Sequence, residues 1–397
     1  MASHNRSGNG PGHSTLGVHA GGPDAAPGAP VVGAVVQSST FFGGGPGDAG
    51  ELLYTRYGNN PNQIAVGHKL AALEGMDAAL PVASGMAATA MTFLALTRAG
   101  DHIVASRHLY GTTRSLLEHE LPKRGVETTF VDPGSSREWR QAMRRNTRLL
   151  FLEIPTNPTM RVFDPRPVGR LAHEAGVVLA VDSTFASPIN FRARDFGVDI
   201  VIHSATKYLG GHTDLIAGVV AGSRSLVKEV QAMLKLYGPA LDPHAAWLLE
   251  RGMKTLALRM ERHNANGLAL ATWLEQQPEV ASVSYPGLAS HPDRAIAEEI
   301  LSGFGGMVGI VLKGGGPAAD AFCGALRLAL QAPSLGGVET LVSQPRFTSH
   351  VHQTEAEREA QGIPDGFVRI SLGVEDAADL MTDFRQALDA LKASAVA

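Results

Sequence analysis

One cysteine, Cys323, stands in 397 residues. A single thiol can close no intrachain disulfide and build no thiolate metal cage, and the cytoplasm is the expected location. Cys323 falls on the apolar side of a predicted helix, AADAFCGALRLALQ, and reads as a small buried hydrophobe. No apolar run approaches ~18 residues, so no membrane-spanning helix is expected. Charge of neither sign dominates: the net charge is -4 with acids and bases interleaved, which argues against general nucleic-acid binding. The first thirty or so residues lack a charged stretch followed by an apolar core and do not read as a secretory signal. No H-E-x-x-H, G-x-S-x-G or P-loop pattern occurs. GPGDAG at 45–50 fits G-x-G-x-x-G, but no strand precedes it and no helix follows, so it reads as a loop. His350 and His352 in SHVHQ lack a third ligand and read as a polar loop, and no metal site is expected.

What is present has the balance of a soluble globular protein, 44% hydrophobic and 18% charged. Residues 1–60 are rich in Gly, Pro and Ser. They read as an arm, flexible at least as far as Ser14. From 61 to 250, apolar runs of strand length (DAALPVAS, DHIVAS, ETTFVD, RLLFLEIP, VVLAVDSTF, DIVIHSA) alternate with helical segments. That alternation predicts a mostly parallel sheet covered on both faces. From 251 to 397 the pattern is mainly helical with two strands, MVGIVLKG and FVRISLG, predicting a smaller α+β domain. HAAWLLERGMKTLALRMERHNANGLALATWLEQQ reads as one long helix joining the two lobes.

Open α/β sheets hold ligands outside the carboxyl ends of their strands. Several polar residues gather at those ends: Ser84, Gly85 and Met86; Glu153 to Asn157; Asp182 to Thr184; and Ser204 to Lys207. Singly, each is a capping or turn residue. Asp182, however, leaves the apolar run GVVLAV, and a buried carboxylate calls for a positive partner. Lys207 leaves the next such run, flanked by Ser204 and Thr206. One chemistry needs the whole set. Pyridoxal phosphate takes a lysine for its Schiff base, a carboxylate at its ring nitrogen and donors for its phosphate, and a helix start such as Gly85-Met86 supplies donors.

VDSTFASP, HSATKYLGGHTD, YTRYGNNP, ASGMAAT, EIPTNPTM, SLGGVETL and VRISLG together resemble the pyridoxal-phosphate enzymes of cysteine and methionine metabolism. That group includes cystathionine γ-synthase, cystathionine lyases, methionine γ-lyase and O-acylhomoserine sulfhydrylase. The resemblance runs from about residue 15 onward. It implies the aminotransferase type I fold: a large domain with a mostly parallel, seven-stranded-type sheet and a small C-terminal α+β domain. By motif, Lys207 resembles the Schiff-base lysine, Asp182 the ring-nitrogen partner, and Tyr110 the tyrosine that stacks on the ring and acts in acid–base steps. Gly85, Met86, Ser204 and Thr206 resemble the phosphate binders. Tyr54 and Arg56 resemble a pair given by the neighbouring subunit, which implies a dimer and, for this group, a homotetramer of two dimers. Arg369 resembles the fork for the substrate α-carboxylate, with Asn157, Ser334 and Glu339 as substrate-side residues.

The implied reaction is γ-elimination or γ-replacement on an L-amino acid. β-Elimination on the same scaffold and a non-catalytic protein that keeps the fold stand as alternatives. Some positions depart from the pattern of the group. YTRYGNNPNQ holds one extra asparagine. Leu53 stands where cystathionine-handling members carry an acid, Ser115 where they carry an arginine, and Thr112 where methionine γ-lyases carry cysteine. Leu53 and Ser115 speak against cystathionine, Thr112 departs from the methionine γ-lyases and Glu339 speaks for cystathionine, leaving open a thiolate, cystathionine's cysteine, an acyloxy group or an unusual γ-substituent such as a halide.

Overall fold

Seven strands form the larger of two sheets: β1 (Ala78–Val82), β2 (His102–Ser106), β3 (Glu127–Val131), β4 (Thr147–Glu153), β5 (Val178–Asp182), β6 (Ile200–His203) and β7 (Gly218–Gly222). A computed structural model describes residues 10–43, 52–351 and 353–394. The sheet order is β1-β7-β6-β5-β4-β2-β3. Only β7 runs against its neighbours; the pairs from β6 to β3 are all parallel. Alternate residues feed two cores. Leu150, Leu152, Leu179, Val181 and Val201 face one, and Leu149, Phe151, Ala180, Ile200 and Ile202 face the other. Burial on both faces is why these strands read as unbroken apolar runs.

The helices Gly85–Leu96 and Arg224–Tyr237 cover one face through Ala88, Phe93, Val230 and Leu234. Pro61–Glu74, Arg166–Ala175 and Pro243–Met253 cover the other through Val66, Leu70, Val168 and Leu249. A second sheet has β8 (Val280–Ser284), β9 (Met307–Leu312), β10 (Leu330–Gln331), β11 (Leu341–Ser343) and β12 (Phe367–Ser371) in the order β10-β11-β12-β9-β8. Phe322, Cys323, Leu380 and Phe384 from Gly315–Ala325 and Ala377–Ser394 pack on it. Cys323 is buried there as a small hydrophobe.

Three sequence expectations change. The long helix is two, Pro243–Met253 and Leu256–Leu274. The break falls at Lys254 and Thr255, just after Gly252, where a Cβ would lie 2.3 Å from the Gly210 carbonyl oxygen, and Arg259 donates to the Gly252 carbonyl at 2.8 Å. Leu256–Leu274 itself belongs to both cores, Met260 to the first and Leu270 to the second. Next, the flexible stretch reaching Ser14 gives way to a helix, His13–His19. The buried Lys69 ammonium holds its end by donating to the Gly17 carbonyl at 2.7 Å. Finally, β7, β8, β10 and β11 appear in segments with no strand expectation. GPGDAG and His352 lie outside the described residues.

Among the described residues, no helix is long and apolar enough to cross a membrane.

Candidate active site

The carboxyl ends of β4, β5 and β6 open onto a cavity of about 1650 Å³, larger than the ~300–1,000 Å³ of most small-molecule sites. Its walls include Ser84, Gly85, Met86, Tyr110, Asn157, Asp182, Ser204, Thr206, Lys207, Ser334 and Arg369. Eleven of the sequence-derived positions thus meet in one space, drawn from both sheets and the turns beyond them.

Lys207 sits in the turn after β6, and its Nζ donates to Ser334 Oγ at 2.7 Å. Burial and then the nearby Arg369 charge bring its pKa down to about 8. Arg369, on β12, is 6% exposed. Its Nη1 donates to Asn157 Oδ1 at 3.1 Å and its Nη2 to the Ser334 carbonyl at 2.9 Å. Burial lowers its own pKa to about 10. Ser334 therefore touches both cations, and does so with φ at +90°, a backbone state that costs a non-glycine residue about 1–3 kcal/mol. Asp182 ends β5. Burial raises its pKa, against the pull of hydrogen bonds from Thr184 and of His203; the Thr184 N–H reaches Asp182 Oδ1 at 2.9 Å.

Ser84 caps the helix Gly85–Leu96 by accepting the Ala87 N–H at 3.1 Å. The N–H groups before it have no partner within a helix, and this helix start shares the cavity with Ser204 and Thr206. Only glycine fits at 85: a Cβ would fall 2.6 Å from that of Ser204. The Thr206 hydroxyl already exchanges hydrogen bonds with the Ala217 backbone.

Three sequence-derived positions lie outside the lining. Tyr54 and Arg56 stand beside the end of Arg224–Tyr237, with the Arg56 guanidinium over the Tyr54 ring at 5.3 Å and the Tyr57 ring at 5.1 Å. Glu339 accepts the Thr213 hydroxyl at 3.1 Å, also outside the lining. The two adjacent asparagines divide the work of this turn. Asn59 accepts the Tyr54 N–H at 2.9 Å, while Asn60 caps Pro61–Glu74 in a capping box. Sequence reasoning missed His350. It is 3% exposed and lines the cavity, with Nδ1 at 2.8 Å from Ser349 Oγ. Burial and the charges of Arg369 and Arg358 push its pKa down to about 4. Nothing in SHVHQ beyond its two histidines could have marked it.

Residues 14–389 match the model of one family, described as Cys/Met metabolism PLP-dependent enzyme. The chain belongs to that family. A tobacco chloroplastic cystathionine gamma-synthase 1 is 43% identical over 85% of the chain. The match takes in 63% of the tobacco protein, so the chain spans less than two thirds of that relative's length. An L-methionine gamma-lyase of Fusobacterium nucleatum is 39% identical, over 89% of this chain and 92% of its own. The crystal structure of a cystathionine gamma-lyase from Lactobacillus plantarum, complexed with L-serine, superposes with a TM-score of 0.91 at 34% identity, covering 96% of this chain and 99% of that one. Members of this Cys/Met metabolism family are pyridoxal-phosphate enzymes, and the fold is theirs. The site fits that cofactor on its own terms. A half-buried lysine with a depressed pKa, a half-buried carboxylate and a glycine-cleared helix start with two hydroxyls share one cavity.

Proposed function

We propose that the chain catalyses γ-elimination or γ-replacement on an L-amino acid with a leaving group at Cγ, with sulfur amino acids and O-acylhomoserines as the substrate class. The observation that carries this reading is the joined set Lys207–Ser334–Arg369–Asn157 in one cavity with Asp182. Pyridoxal phosphate, when bound, supplies the electron sink for charge released at Cα. Lys207 would hold it, Asp182 would face its ring nitrogen, and Tyr110 would lie against the ring. Gly85, Met86, Ser204 and Thr206 would bind its phosphate. Arg369, steadied by Asn157 and Ser334, would fork onto the substrate carboxylate. Lys207 would take the proton from Cα, and Lys207 or Tyr110 would give one to the departing γ-group by general acid catalysis.

Tyr54 and Arg56 would complete the site of a neighbouring subunit, in a dimer or a dimer of dimers working in the cytoplasm. Their place outside their own chain's cavity supports this. Two arginines of the outer wall are paired, Arg114 with Glu118 at 2.7 Å and Arg107 with Glu138 at 2.7 Å, while Glu357 of that wall accepts from Thr354. Phe347 and Val351 in the same wall are exposed. This supports an uncharged γ-substituent over the amino-acid end of cystathionine.

The products formed from O-acetylhomoserine, cystathionine and methionine, each with and without added thiol, test the reading. It expects 2-oxobutanoate, or a thioether when thiol is present. Pyruvate as the main product would replace it with β-elimination. A pure protein with no visible cofactor absorption would replace it with a non-catalytic role.

A further inference from the structure

Glu153 has no part in the chemistry above, yet it adjoins three of the groups that do, Tyr110, Asn157 and Asp182. It is the last residue of β4 and pairs in register with Asp182, the last residue of β5. Registered neighbours on adjacent strands point to the same face of a sheet. Two carboxyl groups therefore stand side by side at the sheet edge, lining one cavity. Glu153 is 4% exposed. Its Oε1 accepts the Tyr110 N–H at 2.6 Å, and the Asn157 N–H also donates to it. Asn157 in turn receives Arg369.

Two neighbouring carboxyl groups, one buried and one half-buried, do not both ionise cheaply. The Thr184 hydrogen bonds and His203 draw the charge toward Asp182. Burial and then the Asp182 charge push Glu153 well above the usual carboxylate range.

We propose that Glu153 is a positioning residue, a neutral carboxyl that binds the start of the Tyr110 turn, the Asn157 loop and the Asp182 strand end into one unit. A carbonyl oxygen accepts backbone N–H groups as a carboxylate does, so the role needs no charge. This proposal rests on the roles proposed above for Tyr110 and Asp182. It is separable from the choice of substrate, because its readouts need no turnover.

The experiment compares Glu153→Gln and Glu153→Ala with the wild type, each loaded with pyridoxal phosphate. Three quantities are read: the circular dichroism of the visible cofactor band, cofactor dissociation, and the infrared signal of protonated carboxyl groups in glutamate-labelled protein at neutral pH. Glu153→Gln is expected to keep the wild-type dichroism and cofactor affinity and to lose one protonated-carboxyl signal. Glu153→Ala is expected to change the dichroic band and to bind cofactor on the order of tenfold more weakly, as a shift of the ring contacts would cause. Two results overturn the proposal: Glu153→Gln as impaired as Glu153→Ala, or no protonated-carboxyl signal that depends on Glu153. Should Glu153→Ala fail to fold, the Gln variant and the infrared signal decide alone. Loss of activity toward every sulfur amino acid, with these signals intact, would count against the proposed reaction and leave Glu153 in place.

Discussion

Lys207 is useful because its surroundings resist its charge. Burial and Arg369 both stand against the ammonium form, and only the neutral amine can attack a carbonyl. A lowered pKa therefore makes the amine available at lower pH. The rate of cofactor attachment to the cofactor-free protein is expected to rise with pH and level off just above pH 8, well below the usual lysine range. Arg369→Gln, which removes one of the two causes, is expected to move that inflection upward; stopped-flow absorbance across a pH series reads both. In the proposed reaction, Arg369→Ala also leaves the substrate carboxylate without its fork. That should cost about 2–5 kcal/mol, roughly 30- to 5,000-fold in kcat/KM, measured by steady-state kinetics on the best γ-substituted substrate. Lys207 and Asp182 are legible in the sequence because each charged residue emerges from an apolar run, and such an emergence needs a reason; Arg369, inside the strand FVRIS, is marked only by the resemblance of its motif. Glu153 emerges from a similar run in RLLFLEIP, but its reason lies one strand away, in a register that no local pattern encodes. His350 is harder still. Its burial is made by a loop folding over the Tyr110 turn, where the Ser349 carbonyl oxygen stands 2.6 Å from where a Gly111 Cβ would be.

Among the elements, the helix Gly85–Leu96 is held at its start from two sides. Ser84 caps it, and β7 presses against Ser84: a Cβ on Gly218 would fall 2.0 Å from the Ser84 carbonyl oxygen. Two substitutions separate the cap from the clearance. Ser84→Ala should cost about 1 kcal/mol of stability, a shift of roughly 1–3 °C in melting temperature. Gly85→Ala drives a methyl group into Ser204 and should weaken cofactor binding on the order of tenfold or more, with a smaller loss of cofactor affinity in Ser84→Ala. Calorimetry and cofactor titration on both variants check the pair. The same close approach explains a strand that the sequence hides. β7 reads GVVAG because glycine is demanded at its ends by contacts with other elements, and glycine weakens a strand pattern. β1 to β6, β9 and β12, filled with apolar residues on one or both faces, are legible. The break just after Gly252 is hidden for the same reason as β7, since a tertiary approach to Gly210 sets it against a continuous helical periodicity.

For the whole molecule, the open question is where Tyr54 and Arg56 act. If they complete a neighbour's site, two inactive variants should repair each other. Lys207→Ala keeps a sound Arg56, and Arg56→Ala keeps a sound Lys207. Mixed after partial unfolding and refolded together, they should form hybrids with one intact site each and recover about a quarter of wild-type activity in a symmetric dimer. No recovery in hybrids verified by mass spectrometry would place the pair's role within its own chain. The motif YTRYGNNPNQ marks this region in the sequence, and the structure adds how it is tied down: Asn60 and Asn62 reach back to the Val36 and Ala34 carbonyls. That anchoring joins segments far apart in the chain and has no periodic signature. The lone cysteine has a consequence at this scale too. Its thiol is 3% exposed and burial pushes its pKa up to about 12. The surface is therefore blank to maleimides: a dye or spin label will mark only a cysteine added by design.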